Sequence, residues 1–120
     1  MTRRDGKFGF ERLQVYGLAR EALLLGVGAR VKRKGAPGEL RSQLERALVS
    51  VVANIIEGAG RTSLADQRRH HAIARGSANE AGGCVEIAHC FGALTDEEHT
   101  AMRDRLTRVT WMLTAMLGHR

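Results

Sequence analysis

Ala47-Leu-Val-Ser-Val-Val-Ala-Asn54-Ile-Ile-Glu57-Gly58-Ala-Gly60-Arg61 and, further on, Ala74-Arg-Gly-Ser77-Ala-Asn-Glu80 decide how this chain is read. Each phrase sets polar residues three apart on a face that is otherwise apolar or small. A polar group in a helix seam costs stability unless it finds a partner. Upstream of Asn54, the residues Leu40, Leu44, Ala47, Leu48, Val51, Val52, Ile55 and Ile56 keep a helical rhythm. A helix therefore opens after Pro37-Gly38, and Gly58 and Gly60 are expected to end it in left-handed conformation.

The helix carrying the second phrase starts from Ser63 as N-cap, with Asp66 favouring its positive end, and runs to about Phe91, with Gly92 as its stop. Its inner stripe reads Ile73, Ser77, Glu80, Cys84, with Ala74, Ala78, Ala81, Ala88 and Phe91 beside it. Gly76, Gly82 and Gly83 each cost a helix about 1 kcal/mol relative to alanine, which close approach of neighbouring helices would explain; a hinge is the alternative. Thr95 and Glu98 form a capping box for a fourth helix, whose seam is Met102, Leu106, Val109, Leu113 and Met116 before Gly118.

Towards the N-terminus, a first helix is expected from about Phe8 to about Val27, with two apolar stripes, Leu13, Tyr16, Ala19, Leu23 and Val15, Leu18, Ala22, Leu25. So broad an arc exceeds what one bundle core uses and points to self-association. Gly26 to Gly38 mixes breakers with a basic run and reads as the connecting loop, with the alternative that Ala29 to Lys34 extend the helix past two weak spots. Residues 1 to 7 read as a disordered basic N-terminus and 8 to 118 as one domain. Four helices with short turns make an all-α, up-down-up-down antiparallel four-helix bundle.

Composition agrees: 43% of the 120 residues are hydrophobic but only 4% aromatic, so the core must come from Leu, Val, Ile, Ala and Met. There is no signal-peptide pattern at the start and no apolar run of membrane-spanning length. Cys84 and Cys90 stand too far apart along one helix for a comfortable disulfide. These features lead us to expect a cytoplasmic protein with reduced thiols.

Taken in order, Phe10-Glu-Arg-Leu13-x-Val15-Tyr16-x-x-Ala19, Gln43-Leu44-x-Arg46-Ala47, Asn54-Ile-Ile-Glu57-Gly58-x-Gly60-Arg61 and Ala74-Arg-Gly-Ser77-x-x-Glu80 resemble a known family. It is that of the bacterial four-helix-bundle proteins first noticed in intervening sequences of large-subunit ribosomal RNA genes. The resemblance spans about Phe8 to Leu117 and implies a small cytosolic bundle that assembles as a ring of five. The accessory variability proteins of diversity-generating retroelements are similar in structure and form basic pentameric barrels that bind nucleic acid; here they serve as an analogy only. Gly82-Gly83 stands where bulkier apolar residues would be usual in the family.

Asn54, Glu57, Arg61, Ser77 and Glu80 are expected to form a structural polar network, with Asn54 and Ser77 donating to Glu57 or Glu80 and with Arg61 or Arg75 balancing charge. The alternative is a carboxylate-based enzyme or a metal-binding bundle using Glu57, Glu80, Glu86 and His89, since Glu86-x-x-His89 has the spacing of di-iron helices. Such a site needs a second motif of that kind, and the plainer reading puts Glu86 and His89 on the outer face. We expect no catalytic residue, no metal and no cofactor.

The net charge of +6 comes from 19 Lys and Arg against 13 Asp and Glu. Five copies would carry about +30 by multiplication, a footprint for RNA or DNA backbone. The candidate nucleic-acid contacts are Arg30, Lys32, Arg33, Lys34, Arg61, Arg68, Arg69 and Arg75. With one Trp, one Tyr and three Phe, base stacking is not the expected mode. The expectation is a non-enzymatic, homo-oligomeric scaffold or accessory protein whose partner is nucleic acid or another protein, with no membrane association.

Overall fold

A computed structural model describes residues 6–29 and 36–118. A short 3-10 turn, Gly9–Arg12, precedes four helices: α1 (Gln14–Ala29), α2 (Gly38–Ala59), α3 (Leu64–Cys90) and α4 (Asp96–Met116). No strand element occurs among the described residues. Consecutive helices pack side by side, and α1 also packs on α4, which closes the set around one core. Leu44, Leu48, Val51, Ile55, Val85, Met102, Val109 and Leu113 are its largest fully enclosed members.

Side-chain bonds set the register. Ser50 meets Ser77 and Asn54 meets His70 across α2 and α3, while Glu86 meets His99 and His89 meets Asp96 across α3 and α4. Ser63 caps α3 through the Asp66 amide, and Thr95 and Glu98 form the expected box at α4.

Several local expectations change. The first helix begins at Gln14 and not Phe8, because Phe8 and Leu13 are extended and the Phe8 amide is taken by the Glu11 carboxylate at 3.0 Å. It also continues through Gly26, which is a contact and not a loop: a β-carbon there would clash with Leu48 Cδ1. Gly58 likewise lies inside α2, and a β-carbon would stand 3.0–3.1 Å from the His71 ring. Gly60 caps α2 with φ −87°, so no left-handed residue is used there. Gly92 and Gly118, past α3 and α4, do have positive φ.

The α3 stripe is rotated from the expected one. His70, His71, Ala74, Ala78, Ala81, Cys84, Val85 and Ala88 are buried, whereas Ile73, Glu80 and Phe91 are exposed. The alanine face packs inward because its small side chains let α3 lie close to its neighbours. Gly76, Gly82 and Gly83 face open space, so close approach within the chain does not account for them. On α4, Leu117 closes the seam and Met116 is exposed.

Candidate functional site

A polar network lies on the α2–α3 seam, and its members and pairings differ from those expected. Asn54 is half-buried; its Nδ2 donates to the Ser50 carbonyl at 2.9 Å and to Ser50 Oγ at 3.2 Å. Ser50 Oγ shares a 2.7 Å bond with Ser77 Oγ. Since the Asn54 amide nitrogen is engaged, its Oδ1 accepts from His70 Nδ1 at 3.0 Å. His70 Nε2 then accepts from Arg69 at 3.2 Å, which assigns the donor role to Nδ1. Among the described residues, every buried side-chain nitrogen and oxygen has a partner.

Glu57 and Glu80 are not the acceptors that Asn54 and Ser77 use. Both carboxylates are exposed, and Glu57 pairs with Arg61 one turn on at 3.1 Å. Glu80 stands at the rim of an open groove lined by Gln43, Arg46, Ala47, Ser50 and Ser77. The partners of Asn54 and Ser77 are instead uncharged groups on Ser50 and His70, which avoids enclosing a carboxylate. Ser50 and His70 are the members that sequence reading missed. The histidine pair's signal is that two polar rings continue the inward alanine face by one more turn.

His71 lies behind this chain, against Gly58. Burial, and then the neighbouring His70, hold its imidazole below the ordinary value. Burial, and then the charge of Glu80, push the Cys84 thiol up, while Cys90 is exposed.

At the α3–α4 turn, Glu86-x-x-His89 meets a mirror motif, Asp96-x-x-His99, that sequence reading overlooked. The two cross-pair: His89 Nε2 to Asp96 Oδ1 at 2.8 Å, and His99 Nε2 to Glu86 Oε1 at 2.9 Å. Arg103 also binds Glu86 Oε1. The two imidazoles stack with centroids 3.9 Å apart and planes within 9°. Glu86 and His89 thus join α3 to α4 and do not stand alone on an outer face. Parallel rings with each Nε2 on a carboxylate do not aim at one point, and among the described residues no three His, Cys, Asp or Glu groups are placed to hold a metal ion. His99 and then Arg103 hold the Glu86 carboxyl below its ordinary range, and His89 does the same for Asp96.

The four residues of the alternative reading are not brought together. Glu57 lies one residue from Gly58, which packs on His71, and His71 to Glu86 spans about 22 Å of helix axis.

Of the candidate nucleic-acid contacts, Arg30, Lys32, Arg33 and Lys34 lie outside the described residues. Arg61, Arg68 and Arg69 gather where α2 ends and α3 begins, and each has a structural partner. Arg61 pairs with Glu57, Arg68 donates to the Leu117 carbonyl at 2.7 Å, and Arg69 reaches Asp66 and His70. Arg61 follows the carbonyl end of α2 and Arg68 binds that of α4, positions that suit a cation. Arg75 is half-buried, further along α3.

Residues 11–115 match the family model for the 23S rRNA-intervening sequence protein, and the chain belongs to that family. The crystal structure of a protein of unknown function from the S23 ribosomal protein family of Bacteroides thetaiotaomicron is similar, with a TM-score of 0.77. The likeness covers 86% of this chain and 97% of that one at 23% identity, and it is a likeness of fold. No curated protein matches the sequence. No helix among the described residues is long and apolar enough to cross a membrane.

Proposed function

We propose that this member of the 23S rRNA-intervening sequence protein family is a non-enzymatic, up-down-up-down antiparallel bundle that self-associates and acts as a scaffold or accessory protein on nucleic acid. The observation that carries the reading is the apolar surface left outside the core. Trp111 is 67% exposed and stands beside the open Gly82-Gly83 surface, and Leu24, Val27, Val49, Ile73 and Ile87 are also outside. Large apolar side chains at this density favour a protein interface over free solvent. The crossed registers across the α2–α3 and α3–α4 seams support the antiparallel order, and five is the copy number that the family resemblance suggests.

The charge of +6 and the exposed Arg61, Arg68 and Arg69 favour a polyanionic partner read through its backbone. Light scattering after size exclusion tests the first part: a monomer alone at micromolar concentration would reject self-association. Filter binding to RNA and duplex DNA over a salt series tests the second. Retention that falls steeply as salt rises is the expected result, and no retention at about 50 mM salt would reject it.

A further inference from the structure

Aromatic residues are scarce in this chain, yet three of its five rings form one cluster. Phe8 stacks on Phe10 with centroids 5.6 Å apart and planes within 6°, and Phe10 meets Tyr16 edge-on at 5.0 Å. Phe10 and Tyr16 are half-buried and brace the stack against α1, whereas Phe8 at the outer end is 44% exposed. With one ring face on Phe10, its exposure falls on the other face and the rim.

That ring lines a pocket of about 550 Å³ together with Phe10, Ile56, Glu57, Gly60 and Arg61, a volume within the usual range for small-molecule sites. The pocket is closed by the carbonyl end of α2, which carries partial negative charge and disfavours a phosphate inside it. A neutral planar group with hydrogen-bond donors suits it better. Glu57 and Arg61 lie side by side, joined by one 3.1 Å bond with both side chains about half exposed. A carboxylate beside a guanidinium offers two acceptor oxygens next to a fork of donors. The Watson–Crick edge of guanine presents the complement: an acceptor oxygen, O6, beside the N1–H and N2–H donors. Adenine and the pyrimidines do not offer that order.

We propose that this pocket takes an unpaired guanine of single-stranded nucleic acid, stacked on Phe8 with its edge against Glu57 and Arg61 and its phosphates outside. The assignment rests on the nucleic-acid reading above and adds a base identity to it. Stacking on exposed aromatics with edge recognition is how single strands are commonly read. The low aromatic content does not oppose this, because one well-placed ring suffices for one base.

Fluorescence anisotropy with the full chain and labelled ten-nucleotide oligouridines tests it, one plain, one with a central guanosine and one with a central adenosine. The guanosine strand should bind about tenfold tighter than the other two. Glu57→Gln should erase that ratio, and Phe8→Ala should weaken all three strands, the guanosine strand most. Equal binding of all three strands, with both variants silent, overturns the guanine site and leaves backbone binding standing. No binding of any strand overturns both. If a short arginine-rich peptide binds in a Phe8- and Glu57-dependent way and the guanosine strand shows no preference, the pocket is a cation site and the proposal fails.

Discussion

Glycine positions separate two kinds of constraint at the scale of single residues. At Gly58 a β-carbon would press on His71 Cδ2, His71 Nε2 and the His70 β-carbon at 3.0–3.3 Å, and both rings are already enclosed. Gly58→Ala should therefore lower stability by about 1–2 kcal/mol despite alanine's better helix propensity. Gly82→Ala and Gly83→Ala meet nothing within 4 Å and lie in mid-helix, so each should raise stability by about 0.5–1 kcal/mol. Urea denaturation of the three variants under one set of conditions checks both signs. His71 gives a pH signature of its own. Its folded-state imidazole is held below the ordinary value of about 6.5. The unfolded chain therefore takes up a proton that the folded chain resists. The stability this histidine contributes is complete above about pH 6.5 and declines as pH falls through the window beneath it. A plot of Tm against pH between 8 and 5 should slope downward on the acid side for the native chain. The slope should be smaller in His71→Gln, whatever the absolute Tm of that variant. Equal slopes would mean that His71 titrates freely in the fold.

Between elements, the α3–α4 turn is held by the crossed pairs His89–Asp96 and His99–Glu86, with Arg103 on the same carboxylate. Both carboxyls are held below their ordinary range, so their contribution is present above that range and lost as pH falls through the depressed values, below roughly pH 4. The double variant Glu86→Gln with Asp96→Asn should flatten the acid limb of the stability curve. It should leave the His71-dependent limb in place, as circular dichroism melts at successive pH values would report. This clasp also shows what was legible in the chain beforehand. The helices, their caps at Ser63 and Thr95, and the α2 and α4 seams follow from periodicity and turn chemistry, which are local signals. The α3 face follows only in part: Ala74, Ala78, Ala81, Cys84 and Ala88 are buried, but Ile73 and Phe91 lie outside and His70 and His71 inside, so hydrophobicity alone misplaces its edges. Helical spacing puts Asn54 and Ser77 on facing seams, but their partners Ser50 and His70 depend on interhelical register. Side-chain spacing within one helix carries no information about register between two.

For the whole molecule, the proposed self-association must account for one exposed apolar face. The core is closed and its polar groups are satisfied, yet Trp111 stays two-thirds exposed beside Gly82 and Gly83, with Leu106 and Thr107 along the same groove. Two unfilled glycines in a helix cost stability that no contact within the described chain recovers. A neighbouring copy seated over the groove would recover it by burying Trp111 against backbone. Trp111 is the only tryptophan, so its emission reports on that face alone. The emission should be blue-shifted at concentrations where light scattering finds an oligomer, and should move to longer wavelength on dilution to monomer. Trp111→Ser should weaken assembly at least tenfold without lowering the monomer's Tm, since an exposed ring contributes little to the isolated fold. Gly82→Ala and Gly83→Ala should weaken assembly while raising monomer stability, an opposition that a purely intramolecular role cannot produce. Emission that stays red-shifted in an oligomer would place the interface away from Trp111, among other exposed apolar residues such as Leu24, Val27 and Val49.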